Sequence, residues 1–405
     1  MSVTRHPRSL MLALGALTAF GPISLDVYLP SLPQLGAEFS ASESLSQLTM
    51  SACMIGLALG QLLWGPISDR YGRRMPLILA IAGFAATSVA CAFAPSIEVL
   101  IGIRVVQGLC GAAGMVIARA VVHDLFSGAD AVAAFSTLAA VMGVAPVLAP
   151  LVGGVVASFS SWRGVFVALA VIGLLLLAVA AFAVPESLDA AHRTTGGLTN
   201  DFRGIGAALR NGPFLVAALT LGVASIALFT YLQLSPFVLQ TQYGLSAGGF
   251  ALVFAANAVG ITVAANLNRR LARRVPGVRI VRWSLSIGVA GALALTLGGL
   301  LDSALPWLLV PLFVAVSTQG LNNPSLTAIA LGHIRHSAGS ASAVLGTISM
   351  LLGALVPPLL SLLGVTATTL GATMLAAFAV ALALVLFAGR PRPGEPPSGE
   401  KSLLA

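Results

Sequence analysis

The stretch Gly65–Arg74, GPISDRYGRR, separates two apolar runs at about residues 45–66 and 76–94. A bilayer core of about 30 Å is crossed by about 20 apolar helical residues, so both runs are long enough to span a membrane. Between them, Asp69 is followed by Arg70, Arg73 and Arg74, and Gly65 and Gly72 permit a tight turn at a helix end. We therefore predict a compact, ion-paired loop between two membrane-spanning helices.

Apolar runs of this length recur along the whole chain. Hydrophobic residues make up 58% of the 405 residues and charged residues only 8%, whereas soluble domains carry roughly 25% charged residues. Long solid runs also exclude outer-membrane barrels, whose segments alternate over about 10 residues. We therefore predict an all-α membrane protein. Its twelve transmembrane helices cover about residues 9–33, 45–66, 76–94, 97–121, 132–158, 164–184, 213–238, 247–268, 281–300, 305–330, 340–362 and 366–388.

The loops between these spans alternate in charge. Arginines are concentrated in one set of loops and near both chain ends. The other set carries Glu38, Glu43, Glu98 and Asp302, with Arg163 as its one cation. Because cytoplasmic loops carry the excess of basic residues, we predict that both termini are cytoplasmic.

The longest polar connection between predicted spans divides them into two sets of six, as expected for a transporter built from two repeats. We predict two pseudo-symmetric six-helix bundles, joined by a cytoplasmic linker and followed by a disordered cytoplasmic tail. The regions are the N-terminal bundle at residues 1–184, the linker at 185–212, the C-terminal bundle at 213–389 and the tail at 390–405.

Several motifs resemble those of one family. GPISDRYGRR resembles the signature loop of the major facilitator superfamily, which lies between spans 2 and 3. IRVVQG at Ile103–Gly108 is similar to the R-x-x-Q-G core of its proton-coupled drug exporters. GVAPVLAPLVGG at Gly143–Gly154 resembles the motif of its drug:proton antiporters, with Ala149 in place of a glycine. D-x-Y-L-P around Asp26 and ARAVVHDLF at Ala118–Phe126 resemble the bicyclomycin and chloramphenicol resistance branch.

This resemblance implies proton-coupled efflux of amphiphilic drugs by alternating access, across the inner membrane of a bacterium. The expected partners are a small amphiphilic substrate, protons and the lipid bilayer, and the expected state is a monomer. No cofactor, metal or nucleic acid is expected. The specific motifs lie almost entirely in the first half, so the second half is assigned mainly by its span count.

Other functions stay open at this point. A proton-coupled carrier of a nutrient or metabolite shares the architecture, and so does a non-transporting sensor or lipid-handling protein. An enzyme is disfavoured, because the sequence has no hydrolase, metalloprotease or phosphate-loop motif. A catalytic pair at membrane depth is also missing, since Asp26 is the one acidic residue well inside a predicted span.

Asp26 and Arg104 are predicted to couple transport to protons. A helical rise of 1.5 Å puts Arg104 about 9 Å and Asp26 about 13 Å from the same membrane face. A charge at a span centre costs about 2.5–3.5 kcal/mol, so such a residue is functional by default. An aspartate that pairs with Arg104 in one conformation and is left dry in the other takes up and releases a proton in turn. The alternative is a static ion pair between spans 1 and 4.

The charged loop is predicted to be a gate latch. Asp69 is placed to cap a helix end or pair with Arg73, and Arg70 to reach Asp124 at the end of span 4. Such pairs hold the two halves closed at the cytoplasmic face, whereas the alternative is a topology signal alone. The residues of this inner-gate motif are Gly65, Asp69, Arg70, Gly72, Arg73, Arg74 and Asp124.

Span 5 is predicted to be a bent, closely packed helix. Pro146 and Pro150 each remove a backbone hydrogen bond, and Gly153 and Gly154 admit a neighbouring helix. The resemblance adds Gly143 to this antiporter motif and implies that the bend seals the cavity against proton leak. Packing alone is the alternative.

The substrate is predicted to bind between the two halves near the membrane midplane. Aromatic and apolar walls supply contact area and a few amides orient the ligand, although each of these residues has interhelical packing as its alternative. The step Asn323–Pro324 predicts a local break in span 10. The candidate lining residues are Tyr28, Leu29, Gln107, Met115, Phe229, Tyr231, Gln233, Gln319, Asn322 and Asn323.

Overall fold

The structure is a computed structural model, and it describes residues 7–189, 193, 206, 208–334 and 338–388. Within these residues, 12 helical segments are long and apolar enough to cross a membrane. The all-helical, twelve-span architecture is therefore confirmed. The predicted disordered tail at 390–405 lies outside the described residues, and so does much of the predicted linker at 185–212.

The first six spans lie within a few residues of their predicted bounds. Span 1 consists of two helices joined through a short 3-10 turn, whereas spans 2 to 6 are single helices. In chain order the helices are Pro7–Asp26, Leu32–Glu38 (preceded by the 3-10 turn Leu29–Ser31), Glu43–Tyr71, Arg74–Ala92, Ile97–Leu125, Gly128–Phe159 and Trp162–Ala183.

The second six spans also follow the prediction, with irregular segments in spans 7, 10 and 11. Span 7 ends in a π-helical turn, span 10 is divided into two helices, and span 11 ends in a 3-10 turn. The elements are Gly212–Phe237 with Val238–Gln242, Ala247–Leu271, Gly277–Leu300, Leu305–Ser317 with Gln319–Gly332, Ala338–Leu360 with Ser361–Leu363, and Ala367–Ala388.

Side-chain caps set the start of several spans. Ser42, Ser96, Ser161 and Ser246 precede spans 2, 4, 6 and 8, and each hydroxyl accepts a hydrogen bond from a backbone N–H of the first turn. Asn211 caps span 7 in the same way. Such a cap satisfies a donor that has no partner inside the helix and is worth about 0.5–2 kcal/mol. These helices therefore begin at a polar residue rather than where the apolar run begins.

Glycines bring span 4 into backbone contact with its neighbours. A Cβ at Gly108 would overlap the carbonyl oxygen of Cys53 in span 2, and a Cβ at Gly114 would overlap that of Leu17 in span 1. Small residues permit this approach in membranes, where packing replaces the hydrophobic effect as the force between helices. Spans 1, 2 and 4 thus form the closely packed centre of the first half.

The two halves, spans 1–6 and spans 7–12, meet mainly where span 2 packs along span 11 and span 5 along span 8. We call the end of the bundle that contains Glu38, Glu43 and Glu98 the acidic end, and the end that contains Arg70–Arg74 the arginine-rich end. Both names refer to the described part of the structure and carry no assignment to a side of the membrane.

Neutral hydrogen bonds join the halves near the acidic end. In each bond a side chain of one half reaches an amide or carbonyl oxygen of the other. The bonds run from Ser361 Oγ to Gln47 Oε1 at 2.7 Å, from Ser44 Oγ to the Pro358 carbonyl at 2.9 Å and from Gln240 Nε2 to the Pro30 carbonyl at 3.2 Å. The acidic end is therefore closed in this conformation.

Two local predictions are corrected by the structure. Gly65 lies inside the helix Glu43–Tyr71 and makes no turn. The turn after span 2 is made at Gly72, whose φ of 88° is one that residues with a side chain rarely adopt. One glycine suffices because span 2 continues as a helix up to the residue before Gly72.

The break in span 10 lies at Thr318, whereas the step Asn323–Pro324 is inside the helix Gln319–Gly332. Pro324 lacks the N–H that would bond the Gly320 carbonyl four residues earlier, so its effect falls on the first turn of this helix and not on the step itself. The Thr318 hydroxyl donates to the Ala315 carbonyl at 2.7 Å, and the Thr318 carbonyl accepts from Ser284 Oγ at 3.0 Å. Span 9 thus compensates the break.

Candidate functional site

A cavity of about 520 Å³ lies between the two halves. Its walls come from spans 1, 4 and 5 of the first half and from spans 8 and 10 of the second. Most lining residues lie in the part of their span that is nearer the arginine-rich end. They are Thr18, Arg119, Phe135, Leu138, Met142, Ile261, Ala265, Gln319, Gly320, Asn323 and Pro324. We call this space the central cavity.

Gln319 and Asn323 are the predicted substrate residues that line the central cavity. Gln319 is almost fully buried, and its Nε2 donates to the Ala224 carbonyl at 2.8 Å. Its Oε1 has no hydrogen-bond partner among the described residues, and neither amide atom of the adjacent Asn322 has one. Buried amides are normally bonded, so these free groups are available to a ligand.

Two other predicted substrate residues are held in hydrogen bonds. Ser51 Oγ of the first half donates to Gln233 Oε1 at 3.1 Å, and Gln233 Nε2 donates to the Gly353 carbonyl at 2.7 Å. The Tyr231 hydroxyl accepts from Asn257 Nδ2 at 3.0 Å. Gln233 therefore adds a further neutral bond between the halves and does not line the central cavity.

The remaining predicted substrate residues also lie away from the central cavity. They are packed against neighbouring helices, which is the alternative that their sequence positions left open. Tyr28, Leu29, Gln107 and Met115 are buried in the first half, and Phe229 packs against Gly353 in the second.

Arg119 is a charged residue of the central cavity that the sequence patterns did not single out. It lies on the last turns of span 4, its side chain is exposed, and it makes no hydrogen bond or ion pair with a described residue. The sequence does contain a signal for Arg119, namely its position inside span 4, because an ionisable residue inside a span is functional by default. The run that contains it, ARAVVHDLF, had contributed only to the family resemblance.

Asp26 ends the first helix of span 1. The chain then enters the turn that contains Pro30, whose missing N–H and fixed φ interrupt the helix. The carboxylate is 7% exposed and makes no hydrogen bond or ion pair with a described residue. It lies near enough to Tyr231 of span 7 to interact electrostatically. An ionised carboxylate that is buried without a partner is costly, so Asp26 is a candidate for a functional residue.

Arg104 does not pair with Asp26 in this conformation. Its Nε donates to the Thr49 carbonyl at 3.2 Å and its Nη1 to Gln107 Oε1 at 2.7 Å. Its guanidinium carbon lies 5.0 Å from the centre of the Tyr28 ring, and its Nη2 has no partner among the described residues. The predicted ion pair is absent because Arg104 is enclosed within the first half, whereas Asp26 lies beside span 7.

The bonds around Arg104 continue through the first half. Gln107 Nε2 donates to Ser88 Oγ of span 3 at 2.7 Å, and the Tyr28 hydroxyl lies 3.0 Å from Thr49 Oγ1 of span 2. The Arg104 guanidinium also lies 5.5 Å from the centre of the Phe166 ring in span 6. One buried cation therefore connects spans 2, 3, 4 and 6 with the turn of span 1.

In the charged loop it is Arg73, and not Arg70, that contacts Asp124. Arg73 Nε donates to Asp124 Oδ2 at 2.9 Å, and its Nη1 bonds Asp69 and, at 2.8 Å, Ser68 Oγ. Burial lowers the pKa of Arg73, but the hydrogen bond to Asp124 and the charge of Asp69 outweigh it and hold the pKa above its ordinary value. The side chain thus stays cationic across the physiological range.

Glu186, directly after span 6, completes this cluster and was not singled out from the sequence. Its carboxylate accepts from the backbone N–H groups of Arg73 at 2.8 Å and Arg74 at 3.3 Å. Ser187 Oγ donates to Asp124 Oδ2 at 2.9 Å. A Cβ at Gly72 would overlap the carboxylate of Glu186. These described contacts tie spans 2, 3, 4 and 6 together, and none of them reaches the second half.

Span 5 runs as one helix through Pro146 and Pro150, and Gly143 lies in the same helix. A Cβ at Gly153 would overlap the carbonyl oxygen of Val27, the residue after Asp26. The antiporter motif therefore packs directly on the turn that holds the buried carboxylate.

Gly154 faces the other half of the molecule. A Cβ at this position would lie 3.0 Å from the Cβ of Ala251 and 3.3 Å from the carbonyl oxygen of Ala247, both in span 8. A contact this tight leaves no room for a larger side chain unless the two halves move apart.

A second cavity of about 530 Å³ lies at the acidic end, between loops of the first half. Its lining residue Arg163 donates to Glu38 Oε1 at 3.0 Å and to the Ala92 carbonyl at 2.9 Å. This cation already holds the loops together, and the cavity does not lie between the halves. The central cavity is therefore the better candidate for a transport site.

Comparisons with known proteins agree with this architecture. The family model of the Major Facilitator Superfamily matches residues 12–357. An uncharacterised MFS-type transporter of Bacillus subtilis, YdgK, is 35% identical over 90% of this chain and 92% of its own length. A bicyclomycin resistance protein homolog of Haemophilus influenzae is 28% identical over 87% and 88%. The solved nucleoside transporter NupG superposes with a TM-score of 0.78 at 12% identity, over 94% of this chain and 100% of its own.

The family match covers far more than half of the chain, and the YdgK match extends over nearly all of both chains. Members of this family carry small molecules across membranes and are not enzymes. The chain therefore belongs to the major facilitator superfamily and is a multi-pass membrane transporter.

Proposed function

We propose that the chain exports amphiphilic drugs or antibiotics in exchange for protons, as a monomer in the inner membrane of a bacterium. The observation that carries this proposal is the combination of a central cavity between the halves with Asp26, a buried carboxylate that has no hydrogen-bond or ion-pair partner among the described residues. The name of the relative in Haemophilus influenzae, a bicyclomycin resistance protein homolog, supports the choice of substrate class.

Transport proceeds by alternating access. The arginine-rich end faces the cytoplasm, together with both termini, because cytoplasmic loops collect basic residues. In the conformation at hand the central cavity receives a substrate from this side, and hydrogen bonds such as that between Ser361 and Gln47 close the acidic end. Each neutral bond is worth only about 0.5–1.5 kcal/mol, so a few such bonds close this end without locking it.

The halves that rock against each other are the bundles at residues 1–184 and 213–389, joined by the linker at 185–212. The arginine cluster around Asp69 and Asp124 fixes the cytoplasmic ends of spans 2, 3 and 4 as one body. As a latch it acts in the opposite conformation, in which the arginine-rich end closes and Arg70 is free to reach the second half.

Asp26 carries the proton. When the acidic end is closed, the carboxyl is buried beside span 7 and is neutral. When that end opens, the carboxylate takes up a proton from the outside, and after the end has closed again a substrate that enters from the cytoplasm, or contact with Arg104, displaces this proton inward. A proton that then moves inward releases about 2.3 kcal/mol per 100 mV of membrane potential, which drives the drug outward.

Arg104 acts on this site through its neighbours. It holds the ring of Tyr28, two residues after Asp26, and so sets the position of the turn that carries the carboxylate. Gly153 of the antiporter motif packs on Val27 in the same turn. A seal against proton leak follows from this packing, because little space remains between the turn and span 5.

Substrate contacts change between the two conformations. Gln319 and Asn323 contact the substrate in the central cavity. Phe229, Tyr231, Gln233 and Asn322 reach it only after the halves separate at the acidic end, a step that also breaks the bond from Ser51 to Gln233. In this scheme the Gln233 amide bonds across the halves in one conformation and contacts the substrate in the other.

Export of drugs is tested by expression in a bacterium that lacks its main drug pumps, with growth measured on an antibiotic panel. The expected result is a several-fold rise in the inhibitory concentration of some amphiphilic drugs, which is lost in Asp26→Asn at equal protein abundance. The alternative is a proton-coupled carrier of a nutrient or metabolite. An unchanged panel, together with uptake of a metabolite driven by a proton gradient in vesicles, would establish that alternative instead.

A further inference from the structure

The central cavity carries a positive charge. Among the described residues that line it, Arg119 is the one with a formal charge, and the others are polar neutral or apolar. Its side chain is exposed and makes no hydrogen bond or ion pair with a described residue. The charge of this guanidinium is therefore available to a molecule that enters the cavity.

Nearby acids are engaged elsewhere. Asp124, on the next turns of span 4, accepts from Arg73 Nε at 2.9 Å and from Ser187 Oγ at 2.9 Å. Asp26 lies beside Tyr231, and the lining residues of the cavity do not include it. Asp124 and Asp26 therefore do not neutralise Arg119, which has no counter-ion among the described residues.

The opposite wall supplies an acceptor. Gln319 of span 10 is almost fully buried and lines the cavity, and its Oε1 has no hydrogen-bond partner among the described residues. Much of the remaining lining is apolar and includes Leu138, Met142 and Ile261. The cavity therefore combines a cation from the first half, an acceptor from the second and apolar surface from both.

We infer that the central cavity selects amphiphiles that carry an anionic group and discriminates against lipophilic cations, with Arg119 as the recognising residue. The inference rests on the proposed export function and names its substrate class. A guanidinium binds a carboxylate through two parallel hydrogen bonds. An N–H or O–H of the substrate donates to Gln319 Oε1, and its apolar body packs on the aliphatic residues between.

Arg282 provides a matched control for this role. It lies near the start of span 9, close to the arginine-rich end, and is half-buried, but it does not line the central cavity. If Arg119 serves only as a topology signal, its replacement has the same effect on measurements in the cavity as replacement of Arg282. If Arg119 recognises substrate, only its own replacement changes them.

The first experiment measures the potential of the cavity without a substrate. Cys53, Cys91 and Cys110 are replaced by alanine, and Met142→Cys supplies one thiol in the lining. The anionic reagent sulfonatoethyl methanethiosulfonate is expected to react faster than the cationic trimethylammonioethyl reagent, relative to their rates with free thiol. The guanidinium attracts the anionic reagent and repels the cationic one, so we expect a preference of about tenfold. Arg119→Gln removes the preference, whereas Arg119→Lys and Arg282→Gln keep it.

The second experiment measures protection of the same thiol against a neutral methanethiosulfonate by nalidixate, its methyl ester and tetraphenylphosphonium. Nalidixate is expected to slow labelling at least tenfold better than the ester in the wild-type cavity, and tetraphenylphosphonium has little effect. Arg119→Gln makes the acid and the ester equal. Equal protection by the cation and the acid, no protection by the acid, or a reagent preference that ignores Arg119 overturns the inference.

The outcomes separate the two proposals. If protection by nalidixate depends on Arg119 but the protein raises resistance to no drug, the export function is refuted and the anion site is supported. If drug resistance depends on Asp26 but labelling and protection do not depend on Arg119, the export function is supported and the anion site is refuted.

Discussion

Arg104 lies over the ring of Tyr28, with its guanidinium carbon 5.0 Å from the ring centre, and it makes no ion pair with Asp26 two residues earlier in the chain. The cation is fully buried, and its further contacts are the Thr49 carbonyl, the amide of Gln107 and the Phe166 ring. The charge of Arg104 is therefore balanced by polar groups and ring faces of the first half and not by the Asp26 carboxylate.

Asp26→Asn is expected to abolish proton-driven export while the protein inserts and accumulates normally. The amide keeps the shape of the side chain but cannot release a proton. The measurement is the proton release that a transported drug induces in purified protein, with Asp130→Asn at an exposed position as the control. Equal release from the wild type and Asp26→Asn would sink the assignment of the proton carrier.

Arg104 and Tyr28 are expected to be energetically coupled. A desolvated cation over an aromatic ring contributes up to about 2 kcal/mol. A double-mutant cycle of Tyr28→Leu and Arg104→Lys, read from thermal unfolding in detergent, is expected to give a coupling of about 1 kcal/mol. In Tyr28→Leu we also expect reduced coupling of drug export to protons, because the turn that holds Asp26 loses its support. Additive effects of the two substitutions would contradict this role.

Two glycines of the charged-loop motif are expected to respond in opposite ways to alanine. At Gly72 the φ of 88° and the carboxylate of Glu186 both exclude a Cβ, so Gly72→Ala is expected to destabilise the protein by about 1–3 kcal/mol. At Gly65 the nearest atom to a Cβ is Val116 Cγ1 at 4.0 Å, so Gly65→Ala is tolerated or slightly stabilising. Thermal unfolding of both variants tests the pair, and equal losses would show that the loop geometry is not the cause.

Gly154→Leu is expected to separate the halves at the contact between spans 5 and 8. The new side chain has no room beside Ala251, so the closed acidic end loses stability and protons leak through the empty transporter. The measurement is acidification of proteoliposomes without drug. Gly102→Leu in span 4, where nothing lies within 4 Å of a Cβ, is the control. A tight Gly154→Leu transporter with full coupling would refute the sealing role.

Gln233→Leu is expected to open the acidic end more often. The substitution removes the bond from Ser51 across the halves, and one such bond supports a change of about fivefold in an opening equilibrium. The reporter is Leu29→Cys, a buried position that a membrane-impermeant maleimide reaches only in the open state. Gln242→Leu is the control, since this amide accepts from Ala367 within the second half. Unchanged labelling in Gln233→Leu would leave Gln233 without a role in closure.

Much of the architecture was predictable from local patterns. Span count and approximate bounds follow from apolar length, because the bilayer sets the same minimum for every crossing helix. The pair of Asp69 and Arg73 was also accessible, since opposite charges four residues apart on either side of a tight turn lie within reach of each other. Arg70 was predicted to contact Asp124, but the residue in contact is Arg73. The turn at Gly72 sets the direction of the chain after span 2, and the sequence pattern does not predict that direction.

The site depended on contacts between segments far apart in the chain. The sequence by itself determined that the protein spans the membrane twelve times and that a carboxylate lies within span 1, because hydropathy and charge act on each segment separately. Only the tertiary structure decided that Asp26 forms no ion pair with Arg104, that Gln233 bonds across the halves and that Arg119 lines the cavity. A helix has several faces, and which of them meets a partner, lipid or a cavity is decided by the packing of the neighbouring spans.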